Sequence, residues 1–418
     1  MPIAHDVADI SSAPAGSGRI EWAASRMPVL QAVRRRFERE QPFAAIRLGA
    51  CLHVTAETAV LLATLAAGGA EVSLCASNPL STNDEVAAAL VRDEGVATFA
   101  RRGEPPPTYL RHVDAVLDRL PQITVDDGCD LVGRLHRERP GQLAEIVGGT
   151  EDTTTGAAHL RALQAAGSLA CPVMAVSGAA TRALADNRYG TGQSVLDGIM
   201  RATNTLLAGA RVVVVGYGNC GRGIAGRARG MGASVVVTEV SPLRALEAAM
   251  DGYEVMPMDA AIEQGRIFVT ATGSRGVIRA EHFARMADGA ILANAGHFDV
   301  EIDVRGLEAA AAGHRRGLRP MVEEFSVGGR RLLLLCEGRL VNLGAAEGNP
   351  AQAMDISFAV QALACEWIVR NQGTLEPIVY EVPASIDTEV ALMKLSTMGI
   401  ELDSLSQEQR EYLESFGA

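Results

Sequence analysis

Four consecutive valines, Val212 to Val215, run straight into Gly216, Gly218 and Gly221, and no other stretch constrains the fold of this chain so tightly. An unbroken β-branched run predicts a strand buried on both faces. The glycines after it have G-x-G-x-x-G spacing, with Asn219 and Cys220 inside the motif, and the helical pattern RGIAGRARGMGA follows. Gly216 allows a tight turn, Gly218 lets backbone approach a pyrophosphate, and Gly221 permits close helix packing. Phosphates would then meet the helix N-terminus and its partial positive charge. After a second strand, ASVVVTEV, Glu239 stands 18 positions beyond Gly221. A carboxylate there accepts from both ribose hydroxyls and repels a 2′-phosphate, so NAD is favoured over NADP. Arg244 lies where it could meet that ribose and admit a phosphate, and Glu239 weighs against it. Strand, glycines, helix, strand and acid in register define a Rossmann-type unit and imply redox chemistry on a small polar substrate.

A chain of 418 residues exceeds one ordinary core, so two domains are expected. Between residues 47 and 125, short apolar runs alternate with helical stretches: IRLGACLHVT, AETAVLLATLAAGGA, EVSLCAS, NDEVAAALVRDEG and ITVDDG. That βαβ rhythm predicts a first parallel sheet. A second begins at RVVVVGYG and continues through ASVVVTEV, RIFVTATG and GAILANAG. Residues 187–207 read as a long helix that carries a hinge into the second sheet, with a counterpart on exit at 348–361. An apolar helix over 359–370 would return the chain to the first sheet and make that domain discontinuous. The acidic end, LSQEQREYLESFGA, reads as a terminal helix on the surface or on a neighbouring subunit.

A formal charge of −12 argues against nucleic acid or an anionic membrane as partner. The seven cysteines are scattered, odd in number and without a C-x-x-C pair, which fits neither a disulfide framework nor a zinc site. No metal is expected, and reducing cytoplasm is the expected location. The N-terminus has no signal-peptide pattern, and no run approaches the roughly 18 apolar residues of a membrane helix.

Several polar constellations fall at predicted strand ends. In CLHVTAE, His53, Thr55 and Glu57 occupy alternate positions and would face one way at the C-terminal edge of a strand, where open α/β sheets bind ligands. Alternatively, Glu57 caps or pairs on the next helix and His53 is a satisfied core residue. Asp127 in DDGCD is either a cleft acid or a turn residue. Asp152 with Thr153, Thr154 and Thr155 suits ribose or amide recognition, or a helix cap. His297 in NAGHFDVEID follows a strand of the second sheet and would lie at the cleft between domains.

Together these segments resemble the S-adenosylhomocysteine hydrolase family along almost the whole chain. The resemblance rests on CLHVTAETAVL, SNPLST, DDGCDL, EDTTTG, DNRYGTGQS, GYGNCGRG, GHFDVEID and GRLVNLGAAEGNP, in family order. It implies an α/β fold with a split substrate-binding domain (1–188 and 350–400), a doubly wound Rossmann NAD-binding domain (189–349) and a short C-terminal helical segment (401–418). It also implies tightly bound NAD recycled within each turnover, an adenine nucleoside as substrate, and a homo-oligomer, tetramer or dimer. His53 and Asp127 match positions near C4′ and C5′, Asp186 and Asn187 those near the 3′-hydroxyl and nicotinamide, and His297 the cleft. Thr55 and Glu57 match ribose and adenine contacts. The expected cofactor site comprises Thr153 to Thr155, Asn187, Gly216 to Gly221 without Tyr217, Glu239, Arg244, Ala295 to His297 and Asn342. The short tail resembles the archaeal and thermophile-type branch.

Four departures from the family pattern are expected to fall in the pocket: Asp152 for glutamate, Arg182 for lysine, Ser177-Gly178 for Asn-Asp, and Asn349 for histidine. Guanidinium stays charged and only donates, so Arg182 stabilises an alkoxide and base duty passes to Asp186, His53 or a water. These changes point to a paralogue that oxidises the 3′-hydroxyl, abstracts the C4′ proton and eliminates the 5′-hydroxyl. Such an enzyme is a nucleoside 5′-dehydratase of nucleoside-antibiotic type. The alternatives are a hydrolase giving adenosine and homocysteine, and a non-catalytic NAD-binding regulator.

Overall fold

The computed structural model describes residues 3–415; Met1, Pro2 and the end of the expected tail, 416–418, lie outside the described residues. Its first sheet contains β1 (Arg47–Leu52), β2 (Glu71–Ala76), β3 (Ala97–Phe99), β4 (Ile123–Asp126), β5 (Gly148–Glu151) and β6 (Val173–Ala175). The strands are almost wholly buried, as a parallel sheet covered by helices on both faces requires. They lie in the order β6-β5-β4-β1-β2-β3 and pair in parallel throughout. Strand order reverses at β1, between β4 and β2. That reversal opens a crevice at the C-terminal ends of β1 and β4.

The second sheet contains β7 (Arg211–Val215), β8 (Ser234–Thr238), β9 (Glu254–Val255), β10 (Ile267–Thr270), β11 (Ala290–Asn294), β12 (Gly313–Arg319), β13 (Val322–Val327) and β14 (Arg330–Leu335). Its order is β12-β13-β14-β11-β10-β7-β8-β9, and it reverses at β7. The antiparallel edge β12-β13-β14 goes beyond the sequence reading. In β12 only Leu318 is even half-buried, so no apolar alternation marks it. A last strand, β15 (Val379–Glu381), pairs in parallel with β6, so the chain builds the second sheet as an excursion from the first. Among the described residues no helix is long and apolar enough to cross a membrane.

The two crossovers differ from the pattern expected of them. On entry, the helical path runs through Ala180–Arg182, a π-helical stretch at Ala183–Gly190 and an α-helix at Thr191–Thr203. It stops short of residue 207 because Asn204 turns left-handed (φ 52°) and donates its backbone N–H to Met200 O at 2.7 Å. On exit, the two expected segments are one helix, Ala351–Arg370, started by Pro350. Its Phe358, Val360 and Leu363 join the same core as Val29, Phe37 and Leu61. The terminal helix Gln407–Glu414 is exposed along its length.

Glycine sets how closely the entry helix approaches the first helix of the Rossmann unit, Asn219–Gly230. A Cβ on Gly192 would lie 2.6 Å from the Gly223 carbonyl carbon, and one on Gly223 would overlap the Arg188 carbonyl oxygen. Backbone meets backbone at this crossing, and neither chain has a flexible atom to yield. Gly223→Ala should therefore lower the Tm of the NAD-loaded protein by roughly 2–8 °C. An unchanged thermal unfolding curve would show that the crossing tolerates a methyl group.

Candidate active site

The C-terminal ends of β1, β2 and β4 deliver the polar side chains of the first sheet to the crevice. His53 follows β1 directly, and Thr55 caps the helix Ala56–Ala67, its hydroxyl accepting from Thr58 N at 3.3 Å. The cap expected of Glu57 thus falls to Thr55. Glu57 stands in the first helical turn with its carboxyl pushed up by burial. At the end of β4 two adjacent acids divide their duties. Asp126 accepts the backbone N–H groups of Asp130, Leu131 and Val132, while Asp127 faces the cleft. Gly128, at φ +117°, lets His297 approach, since a Cβ there would lie 2.5 Å from His297 Nε2.

Proton carriers from both sheets meet at this point. His53 Nε2 lies 3.1 Å from Asp127 Oδ2, and His297 Nδ1 lies 3.6 Å from Asp127 Oδ1. The donor atoms of all three lie within 4.8 Å of one another, a spacing that a proton or a cation between them would satisfy. Burial alone would raise the Asp127 carboxyl. The charges of His53, His297 and Arg182, with a hydrogen bond from Ser77, hold it below the usual carboxylate range. Burial pulls His53 below the usual imidazole range, against the opposing charge of Asp127.

A second cluster forms around Arg182, which is 6% exposed. Its Nη2 donates to Asp152 Oδ2 at 2.7 Å and lies 3.2 Å from Asp186 Oδ2. These acids hold the guanidinium charged despite its burial. Burial pushes the Asp152 carboxyl up to about 7, against the pull of Arg182. Asp186 also accepts from Asn349 Nδ2, and from Ser357 Oγ at 2.9 Å. Asp152 Oδ1, Arg182 Nε and His297 Nε2 are buried without hydrogen-bond partners, as expected of atoms that await a polar ligand.

The second sheet supplies the cofactor side. Gly216 adopts φ +96°, and a Cβ on Gly221 would overlap the Gly216 carbonyl oxygen, so both glycines are required by the turn. A Cβ on Gly218 would meet nothing nearer than Arg244 Nη1 at 3.8 Å, which leaves room for a pyrophosphate. Glu239 accepts from Tyr217 N at 2.7 Å and Ser241 N at 2.9 Å. These bonds hold its carboxyl below the usual range against the effect of burial. Across the cleft, Thr153 caps the helix Thr154–Ala165, and Gly273 comes within 3.1 Å of Thr155 Oγ1 by the same Cβ measure. Asn342 donates to Ser194 Oγ at 3.2 Å and keeps a buried, unpartnered Oδ1. Room at Gly218, a free amide oxygen and a ribose-ready carboxylate together fit a dinucleotide.

One cleft of ≈ 590 Å³ gathers nearly every residue expected of the site. It is bordered by His53, Thr55, Glu57, Asp127, Asp152 and Thr153 to Thr155, and by Arg182, Asp186, Asn187 and Asn349. Gly218, Asn219, Cys220, Arg244, Ala295, Gly296, His297 and Asn342 border it from the second sheet. Gly216, Gly221 and Glu239 shape the turn behind it. One expectation needs correction: Ser177-Gly178 does not border the cleft. It lies in the short helical turn after β6, beside β15, where a Cβ on Gly178 would come 2.6 Å from Glu381 Oε2. Asn349 does more than line the wall, since its Oδ1 accepts from Ser194 Oγ at 2.6 Å while its Nδ2 holds Asp186. Sequence reasoning missed Ser77, Ser81, Ser357 and Glu301. Glu301 accepts both the Thr272 and Gly273 backbone N–H groups. None of the four carries a spacing signal, because each serves a partner distant in sequence.

A Rossmann unit facing a second parallel sheet across a cleft of proton carriers defines an NAD-dependent enzyme. Residues 4–143 match the family described as S-adenosyl-L-homocysteine hydrolase, and residues 187–348 match its NAD-binding domain. The adenosylhomocysteinase of Thermosynechococcus vestitus is 55% identical over 99% of this chain and 97% of its own length. That of Aquifex aeolicus is 55% identical over 98% of each chain. The S-inosyl-L-homocysteine hydrolase of Methanopyrus kandleri is 56% identical over 99% of this chain and 97% of its own. The chain belongs to the adenosylhomocysteinase family, and NAD is its cofactor. Glu239→Ser should weaken NAD binding at least about tenfold, measured as bound NAD per chain after dialysis. Full retention of NAD would remove Glu239 from the ribose site.

Proposed function

We propose that the chain oxidises the 3′-hydroxyl of a purine nucleoside, removes the C4′ proton and eliminates the C5′ substituent, restoring its cofactor before product leaves. The observation that carries this reading is the convergence of His53, Asp127 and His297 with the Arg182 cluster beside the Gly218 turn. NAD, when bound, takes up and returns the electrons of C3′. Arg182 donates to the 3′-oxygen and stabilises its anionic form. Asp186, oriented by Asn349 and Ser357, takes the hydroxyl proton. Asp152 offers its free Oδ1 to the neighbouring hydroxyl, and Thr55 and Glu57 receive the base. A C3′ ketone makes the C4′ hydrogen acidic, and His53 and Asp127 serve the proton transfers at C4′ and C5′. We assign residues 1–188 and 350–400 to the substrate unit, 189–349 to the NAD unit and 401–418 to the tail.

The names of relatives at 53–56% identity support S-adenosylhomocysteine hydrolysis, giving adenosine and homocysteine, as the net reaction. The Methanopyrus relative's name makes hypoxanthine the other base to test. Nothing in these names supports the 5′-dehydratase expected from the sequence, and it stays as a second reading only on the departure at Arg182. Arg182 is a permanent cation locked between Asp152 and Asp186, at the position where the family pattern has a lysine. A homo-oligomer, tetramer or dimer, in reducing cytoplasm fits the exposed Leu402, Leu405, Tyr412 and Leu413 and seven free cysteines.

Product mass spectrometry in heavy-oxygen water separates these readings. Hydrolysis of S-adenosyl- or S-inosylhomocysteine places label at C5′. Dehydration of a nucleoside loses one water without uptake. If no nucleoside generates either product or enzyme-bound reduced cofactor, the catalytic reading is wrong and the regulator remains. Arg182→Met should lower formation of reduced cofactor from adenosine by roughly 10²-fold, read by absorbance, because two acids then face the 3′-oxygen without a cation.

A further inference from the structure

Around His53 the ends of β1 and β2 place two hydroxyls that the proposed chemistry does not use. His53 Nδ1 lies 2.8 Å from Ser81 Oγ and 3.0 Å from Ser77 Oγ, while Nε2 faces Asp127 Oδ2. Ser81 Oγ also lies 2.8 Å from the Asn78 carbonyl oxygen, and Ser77 Oγ 3.2 Å from Asp127 Oδ2. Both serines are buried. Carbonyl and carboxylate oxygens only accept, so the Ser81 proton points to Asn78 and the Ser77 proton to Asp127. Both hydroxyl oxygens are then acceptors toward Nδ1, which must carry a proton. The contact between Nε2 and Asp127 needs a proton of its own. If His53 is neutral and Asp127 ionised, at least one of these five contacts sets two acceptors against each other, whichever tautomer is chosen. One further proton on the pair satisfies all five.

We propose that Ser77 and Ser81 are positioning residues that keep one proton on the His53–Asp127 pair, so that the pair meets the C5′ substituent as an acid. This rests on the oxidation and elimination reading above. In the elimination, the C4′–H electrons form the C4′=C5′ bond and the C5′ substituent departs with its bonding pair. The departing group takes the proton of His53 Nε2, and the C4′ proton passes to Asp127. The pair holds one proton before and after the step. Burial, the charge of His297 from the loop after β11, and Arg182 acting through Asp127 oppose the retained proton; Asp127 from the turn after β4 and Asp186 from the π-helical stretch favour it, and the two serine acceptors at Nδ1 tip the balance toward it. With both serines removed, Nδ1 loses both acceptors and only the contact between Nε2 and Asp127 remains. A neutral ring protonated at Nε2 then satisfies that contact with Asp127 ionised.

The test uses the NAD-loaded enzyme with nitrogen-15 in its eight histidines, the His53 signals being those missing from His53→Gln. At pH 7, Nδ1 of His53 should be protonated in the wild type, bare in the double variant Ser77→Ala/Ser81→Ala and protonated again in Ser77→Thr/Ser81→Thr. In parallel, the alkaline limb of kcat/KM, where the acid proton is lost, should move about one pH unit lower in the double alanine variant and return in the double threonine variant. A bare Nδ1 in the wild type overturns the proposal, as does an alkaline limb that the double alanine variant leaves in place. If no nucleoside is turned over, the elimination reading fails by itself, and the resonance measurement still decides where the proton resides.

Discussion

Arg182 is the buried charge on which the arrangement of the cleft depends. It bridges Asp152, at the end of the first sheet, and Asp186, in the helix that leaves for the second. Asp186 is held in turn by Asn349 and Ser357, which belong to the segment that returns. Both crossovers therefore close on one guanidinium. Removing one partner of such a cluster leaves an uncompensated buried charge, typically about 3–5 kcal/mol. The unusual backbone beside it has the same logic. The π-helical stretch Ala183–Gly190 shifts the register of the entry helix, so that Asp186 and Asn187 both border the cleft while Gly192 still crosses Gly223 at backbone contact.

The site itself is assembled from two strand-order reversals that face each other. At β1 the first sheet presents His53 and, from neighbouring β4, Asp127. At β7 the second presents the Gly216–Gly218 turn and, from β10 and β11, the Thr272–Gly273 loop and His297. Each reversal would bind a ligand alone. Opposed, they line one cleft from both sides, with the dinucleotide turn and His297 on one wall and His53 and Asp127 on the other. Glycine permits that opposition at Gly128, where a Cβ would run into His297, and leaves the cleft open at Gly218, where a Cβ meets nothing nearer than Arg244 Nη1 at 3.8 Å.

Much of this was legible in the sequence because parallel sheets and glycine turns write themselves into short local strings. The valines of β7 and β8, the glycine spacing and Glu239 identified the NAD unit. The strand ends of β1 and β4 marked His53 and Asp127. Legibility failed where a residue's partner lies far along the chain. Asn349 read only as a pocket change and proved also to anchor Asp186; Ser177-Gly178 read as a pocket change and lies just after β6 beside Glu381. The edge strand β12, polar and exposed, carried no periodic signal.

Sequence by itself therefore determined the two α/β units, the dinucleotide turn, the cofactor and the family to which the chain belongs. Tertiary structure decided which acid of each adjacent pair works in the cleft. Asp126 is spent on three backbone N–H groups and Asp127 is not; Glu151 holds the Gly128 and Cys129 amides while Asp152 meets Arg182. Successive side chains at a strand end point to opposite sides, and only the packed neighbours determine which side is structural and which is open to a ligand. The proton on His53 is likewise a tertiary property, set by serines that come from the next strand end rather than by the histidine itself.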